Sequence, residues 1–165
     1  MIQIIRQSQA ELGSLFEVKQ LELIVDCQSK DPCAFFDKER LIQVFINLFS
    51  NAIKFSPRES TIQVTIADSV LPERGPAFHC IVSDNGVGIP EAELEKIFDK
   101  FTQSSKTNTG AGGSGLGLAI CREIVYLHGG IIWAAASPSG GAAIHFAIPR
   151  EAVRENADSL LVATG

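Results

Sequence analysis

The sequence predicts one α+β domain. Two pairs of strand-like segments, within 61–84 and 131–148, are separated by so few residues that each pair reads as a hairpin. Helix-period stretches at 38–55 and 115–128 adjoin those pairs in the chain. At 165 residues and 17.7 kDa, with 45% hydrophobic and 20% charged residues, the chain can build a single core. That composition fits neither a disordered segment nor a membrane protein.

Residues 3–18 carry Ile4, Ile5, Leu12, Leu15, Phe16 and Val18 at loosely helical spacing, so an opening helix is expected. The alternating run LELIVD at 21–26 predicts the first strand. Pro32 and Asp37 interrupt the pattern. Leu41, Val44, Phe45, Leu48, Phe49 and Ala52 then recur every three or four residues, which predicts a helix over 38–55. TIQVTIAD at 61–68 and FHCIVSD at 78–84 predict strands, with Pro72, Gly75 and Pro76 in the turn between them. Past Asn85-Gly86 a short helix is expected around 91–98, followed by a polar stretch from Thr102 to Gly113 that buries little. GLGLAICREIVYLH at 115–128 predicts the last helix, stopped by Gly129-Gly130. IIWAAAS and AAIHFAIP predict a closing hairpin about Ser137-Pro138-Ser139-Gly140-Gly141. The domain is expected to fill 1–150, with 151–165 a tail or linker.

Several classes of protein are disfavoured. No apolar run approaches the roughly 18 residues of a membrane-spanning helix, and MIQIIRQSQAELG lacks the basic-then-apolar order of a signal peptide, so the expected location is the cytoplasm. Net charge is -5, from 14 basic and 19 acidic residues, without a basic run to track a phosphate backbone; nucleic acid is not an expected partner. Cys27, Cys33, Cys80 and Cys121 form no CxxC pair and read as reduced packing residues.

Three segments carry chemistry. Gln43, Asn47, Asn51 and Lys54 stand at i, i+4, i+8 and i+11 of the 38–55 helix, a polar stripe beside the apolar one. Asn weakens helix interiors, so two of them one turn apart suggest carboxamide oxygens facing a hard cation, with Lys54 near phosphate. A merely solvated face is the plainer alternative. Asp84-Asn85-Gly86 after a strand is, taken alone, a turn; Gly88 lets backbone pass close to a flat ligand, and the Asp84 carboxylate can accept from an exocyclic amine such as adenine's. Finally, Gly110-Ala111-Gly112-Gly113-Ser114-Gly115-Leu116-Gly117 leads straight into a helix, whose first amides form an anion site. A dinucleotide fingerprint would need a strand just before it, and a P-loop would need Gly-Lys-Ser/Thr.

In series, NLFSNAIKF at 47–55, DNGVGI at 84–89, IFDKF at 97–101 and GGSGLGLAI at 112–120 closely resemble the N box, first glycine box, F box and second glycine box of sensor histidine kinases, members of the GHKL ATPases. The resemblance extends to HGGIIW at 128–133 and covers roughly residues 10–149. It implies a two-layer α/β sandwich in which a mixed, mostly antiparallel sheet is covered by helices on one face. It also implies ATP and Mg2+ as ligands. Asn51 would coordinate magnesium, Asn47 would support the metal or the phosphates, Lys54 would contact a phosphate oxygen, and Phe55 would pack near the nucleoside. Asp84 would read the adenine amine, with Gly86, Gly88 and Ile89 shaping the base pocket. Amides around Gly113, Gly115, Leu116 and Gly117 would hold the phosphates. Phe101 would border the nucleotide and, with Phe98, anchor a lid at 102–113.

The implied reaction is transfer of the γ-phosphoryl group to a histidine nitrogen. Relatives hold that histidine on an upstream helix in a His-Glu/Asp-x-x-Thr-Pro setting, which His79, His128 and His145 lack. The acceptor is therefore expected on a separate helical domain, with a response regulator served through it, and the isolated domain is expected to be monomeric without membrane contact. His128 precedes Gly-Gly at a helix end, where a cation would suit the dipole. Met1 running straight into helix-like sequence suggests an excised fragment. Many relatives carry an arginine after the F box; here Thr102-Gln103-Ser104-Ser105-Lys106 follows, leaving Lys100 or Lys106 as substitutes without the forked guanidinium. Two alternatives stand beside this reading: a GHKL-type ATPase, which would need a water-activating glutamate where Asn47 stands, and a non-catalytic nucleotide-binding module. A serine-directed relative fits the F box and HGGIIW less well.

Overall fold

The structure, a computed structural model, describes residues 1–30, 36–106, 114–138 and 140–151. Cys33, Gly113, Ser139, most of the expected lid and nearly all of the tail lie outside the described residues.

The chain runs α1 (Ile2–Glu11), α2 (Gly13–Lys19), β1 (Glu22–Cys27), α3 (Lys38–Phe55), β2 (Thr61–Leu71), β3 (Gly75–Ser83), two short 3-10 turns (Glu91–Glu93 and Lys96–Phe98), α4 (Gly117–Leu127), β4 (Ile131–Ala136) and β5 (Ala142–Pro149). The strands form one sheet in the order β1-β2-β3-β5-β4. Only the β1–β2 pair is parallel; β2–β3, β3–β5 and β4–β5 are antiparallel. This is the mixed, mostly antiparallel α+β architecture expected from the sequence.

Alternation along each strand sorts side chains to two faces. Ile66, Cys80, Phe146 and Ile132 stand in one cross-strand row on the covered face; the first three belong to the same buried cluster as the helices' apolar stripes, and the partly buried Ile132 packs against it. The helix α3 lies between α1 and α4. Its Phe45 meets Phe146 of β5 edge-to-face at 5.7 Å, and Phe49 meets Phe16 of α2 at 6.1 Å, so an aromatic chain pins the helix layer to the sheet.

The structure redraws several boundaries. The single opening helix is two, broken at Leu12, where φ -105 and ψ 11 depart from helical geometry. The first hairpin is longer than its turn residues suggested: β2 and β3 pair out to Leu71 and Gly75, and the reversal is confined to three residues with Glu73 at φ 62. The helix expected at 91–98 is two separate 3-10 turns. Cys80 and Cys121 are buried free thiols and Cys27 is partly buried. Burial pushes Cys121 up to about 12. Among the described residues no helix is long and apolar enough to cross a membrane.

Candidate functional site

A cavity of about 250 Å3 opens between α3, the loop after β3, the segment 102–104 and the start of α4. That is just below the roughly 300–1,000 Å3 of drug-sized sites. Its wall includes Asn47, Asn51, Lys54 and Phe55 from α3, Asp84, Gly88 and Ile89 from the loop, and Gly115 and Gly117 from the last glycine segment. Nine of the residues singled out by sequence therefore share one space.

On α3 the stripe is positioned from both helix ends. Asp37 caps the N-terminus by accepting from Arg40 N at 3.1 Å. At the other end Lys19 Nζ donates to the carbonyls of Lys54 and Ser56 at 2.9 and 2.8 Å, meeting the negative end of the helix dipole. Asn47 Nδ2 donates to Gly117 O at 3.3 Å, which braces α3 against the first turn of α4. Lys54 is exposed at the cavity wall with its Nζ 5.0 Å from the Phe55 ring centre.

Asp84 is the carboxylate of the cavity wall. Its Oδ1 accepts from Gly86 N at 2.8 Å and from Ala142 N at 3.1 Å. Burial raises its pKa above the ordinary carboxylate value, and those two amides pull it partly back. Close packing fixes the carboxylate from two sides: a Cβ on Gly86 would sit 2.9 Å from Asp84 Oδ1 and from Phe55 O, and one on Gly141 would lie 2.5 Å from Oδ1. Gly88, at φ +69, takes a conformation that L side chains seldom adopt.

The start of α4 is held by the F-box end of the chain. Phe101 N donates to Gly115 O at 3.0 Å, and Gly115 itself is at φ +68 with Phe101 backbone 2.8 Å from where a Cβ would go. Leu116 N is bonded to Ser114 Oγ at 3.3 Å. Gly86, Leu116 and Phe101 do not line the cavity; Phe101 is 76% exposed at a φ of 64, while Phe98 is buried. Gly113 lies outside the described residues. Thr102, Gln103 and Ser104 do line the cavity. Lys106 Nζ donates to Val87 O at 3.1 Å, and Glu93 accepts from Ser104 Oγ at 2.6 Å and Ser105 N at 3.0 Å. These bonds tie the segment after the F box to the loop 84–93.

Sequence reasoning missed Gly141, read only as a turn residue, and Ala142, whose amide grips Asp84. The signal was the doubled glycine: Gly140, at φ +93, serves the turn, leaving Gly141 to be explained by close packing. His128 has a structural role: its Nε2 accepts from Asp37 N at 3.0 Å and its Nδ1 lies 2.8 Å from Ile124 O, so the ring links α4 to the start of α3.

Among the described residues no group of three His, Cys, Asp or Glu could hold a metal by itself. A half-buried Asn51 carboxamide fits an ion that arrives with phosphate ligands, as magnesium does, and not an all-protein cage.

An α+β sandwich with a carboxylate, a carboxamide stripe and a glycine-started helix around one cavity belongs to the class of small-ligand-binding domains. Residues 36–152 match the family described as "Histidine kinase-, DNA gyrase B-, and HSP90-like ATPase". Adaptive-response sensory kinase SasA of Prochlorococcus marinus (strain AS9601) is 35% identical over 139 residues, covering 84% of this chain and 36% of that one. The catalytic domain of histidine kinase ThkA superposes with a TM-score of 0.73 at 30% identity, covering 92% of this chain and 93% of that one. Full-length ShkA in complex with AMPPNP has a TM-score of 0.69 at 27% identity, covering 88% and 29%. The chain belongs to this ATPase family, among the ATP-binding catalytic domains of histidine kinases. It spans about a third of the length of the curated relative SasA.

Proposed function

We propose that this domain binds Mg-ATP in the cavity and donates the γ-phosphoryl group to a histidine on a separate helical phosphoacceptor domain of the same kinase, in two-component signalling. The observation that carries this reading is Asp84, fixed through Oδ1 on two backbone amides, in one cavity with the Asn47–Asn51–Lys54 stripe and the start of α4. The AMPPNP carried by ShkA supports a nucleotide as the occupant.

In this reading Asp84 accepts the exocyclic amine of adenine, and Gly86, Gly88 and Ile89 leave room for the flat base. Phe55 packs beside the nucleoside. The amides about Gly115 and Gly117 face the phosphates at the positive end of the α4 dipole, and that of Leu116 would join them by releasing Ser114 Oγ. Asn51 supplies an oxygen to magnesium, and Lys54 meets a phosphate oxygen as a point charge. Asn47 acts through its brace to Gly117 O, keeping stripe and helix start in register. Magnesium, when bound, offsets charge on the transferring group. The chain's own contribution is positioning and electrostatics, since phosphoryl transfer needs little covalent chemistry from the protein. A response regulator would be served through the acceptor domain, and the domain would work in the cytoplasm, where ATP is available.

The hydrolytic alternative meets an obstacle at Asn47, a carboxamide that donates to Gly117 O and cannot take a proton from water. Gamma-labelled ATP with magnesium decides between the readings. Label is expected on an added acceptor domain and not on this chain. Phosphohistidine on the isolated chain, or rapid release of inorganic phosphate without acceptor, would contradict the proposal.

A further inference from the structure

The sheet face turned away from the helices carries a cluster that the nucleotide reading leaves unused. Thr65, Ile81, His145 and Trp133 form a cross-strand row on that face, and His79 stands in the neighbouring row opposite Ala147. His79 and His145 are thus diagonal neighbours on β3 and β5. Val82 and Ile144, adjacent to this row in sequence, point the other way and line the cavity.

His79 Nε2 lies 3.1 Å from His145 Nδ1, with the rings within 22° of parallel and their centres 5.2 Å apart. Trp133 lies 5.1 Å from each ring centre at 18–19°. Two nitrogens each about 2.0–2.1 Å from one ion are roughly 2.9 Å apart at a right angle and about 3.4 Å apart at the tetrahedral angle. The observed separation falls between these values, so one ion can bridge the two nitrogens once the rings turn their lone pairs toward it, without the nitrogens having to move apart.

We propose that His79 Nε2 and His145 Nδ1 chelate a Cu2+ ion on the open face of the sheet, apart from the nucleotide cavity, with water completing the coordination. Copper stands highest among the divalent ions in affinity for nitrogen ligands, and imidazole suits it. Magnesium, a hard ion that prefers oxygen, does not compete there. Burial lowers the pKa of both histidines, and for His145 the neighbouring His79 lowers it further, so both rings present neutral imidazole at neutral pH. In the hydrogen-bonded pair one ring points its N–H at the other. On binding, that ring moves its proton to its second nitrogen through solvent, and neutral rings release no net proton.

Trp133 is the chain's only tryptophan and sits beside both rings, so its fluorescence reads the site directly. Titration with Cu2+ alone should quench it saturably at one ion per chain, and excess Zn2+, which competes without quenching, should restore the signal. His79→Ala and His145→Ala should each weaken the apparent affinity at least about tenfold, a loss in the range seen when a metal's support is removed. If circular dichroism shows either variant misfolded, His79→Gln and His145→Gln, which keep a polar side chain on the sheet, take its place. Quenching that is equal in wild type and variants, or that rises without saturation, would mean an adventitious ion only and would overturn the proposal. Nucleotide titration of the same variants should match wild type, so this test stands or falls separately from the ATP reading.

Discussion

Gly141→Ala probes the support of Asp84 from outside any of the recognised motifs. A Cβ at 141 would lie 2.5 Å from Asp84 Oδ1 and 2.6 Å from Asp84 C, and closer still to the Asp84 carbonyl oxygen. Gly141 is not at positive φ, so the effect is steric and not a matter of backbone preference. Two of the obstructing atoms are backbone, and β5 with the Asp84 strand end must part. Overpacking of that kind costs about 1–3 kcal/mol. Parting also loosens the Ala142 N to Oδ1 bond at 3.1 Å, and a hydrogen bond to a charged group contributes about 1.5–3 kcal/mol. Together the loss is roughly 2.5–6 kcal/mol, against a domain stability of about 5–15 kcal/mol, so the melting temperature should fall by roughly 5–24 °C. Displacing the carboxylate removes one charge-assisted bond to the purine, about 10- to 150-fold in nucleotide affinity. Thermal denaturation and calorimetric titration of the same sample measure both. Gly117→Ala is the control, since its Cβ would meet Asn47 at an ordinary 3.7–3.8 Å; its melting temperature should not fall. A Gly141→Ala protein as stable as wild type would refute the packing argument.

Asp84→Asn should raise the melting temperature at neutral pH while abolishing adenine recognition. Burial lifts the folded-state pKa of Asp84 above its unfolded value, so the folded protein binds the extra proton; that stabilisation is complete below the unfolded pKa and lost as pH rises through the folded one. The stability gain of Asp84→Asn should accordingly shrink on acidification, and a gain independent of pH would count against this account. Glu93→Ala removes the acceptor of Ser104 Oγ and Ser105 N, so the Ser105 amide should exchange with solvent at least about tenfold faster by NMR with little change in melting temperature. His128→Ala cuts the link between Asp37 N and Ile124 O and should destabilise the fold by about 1–3 kcal/mol in urea denaturation without labelling consequences for phosphotransfer. Gly115→Ala, forced to φ +68 against Phe101 backbone, should weaken nucleotide binding by displacing the start of α4; binding equal to wild type would contradict it.

What the chain disclosed in advance depended on how local each feature is. The limits of α3 were readable because an unbroken apolar stripe reports on neighbours three or four residues away and Pro32 and Asp37 interrupt the pattern before it; that Asp37 caps the helix came from the structure. The Asn47–Asn51–Lys54 stripe was readable for the same reason. The reach of the first hairpin was not: Pro72 to Pro76 looks like a long turn, yet cross-strand pairing persists to Leu71 and Gly75 because positive φ at Glu73 closes the reversal in three residues. Parallel pairing of β1 with β2 joins segments separated by the whole of α3, and nothing in LELIVD encodes its partner. The grip on Asp84 by Ala142, 58 residues away, was invisible by the same logic. Phe101, counted by resemblance among the nucleotide contacts, turns its ring to solvent and contributes its backbone to Gly115 instead. A residue type identifies a motif; only the fold decides which of its atoms is used.

The most direct measurement is calorimetric titration of the chain with an adenine nucleotide, with and without magnesium, beside Asp84→Asn and Asn51→Ala. The account predicts one site per chain, binding lost in Asp84→Asn, and binding in Asn51→Ala that no longer responds to magnesium. Wild-type-like titration of Asp84→Asn, or no binding by the unaltered chain, would contradict it.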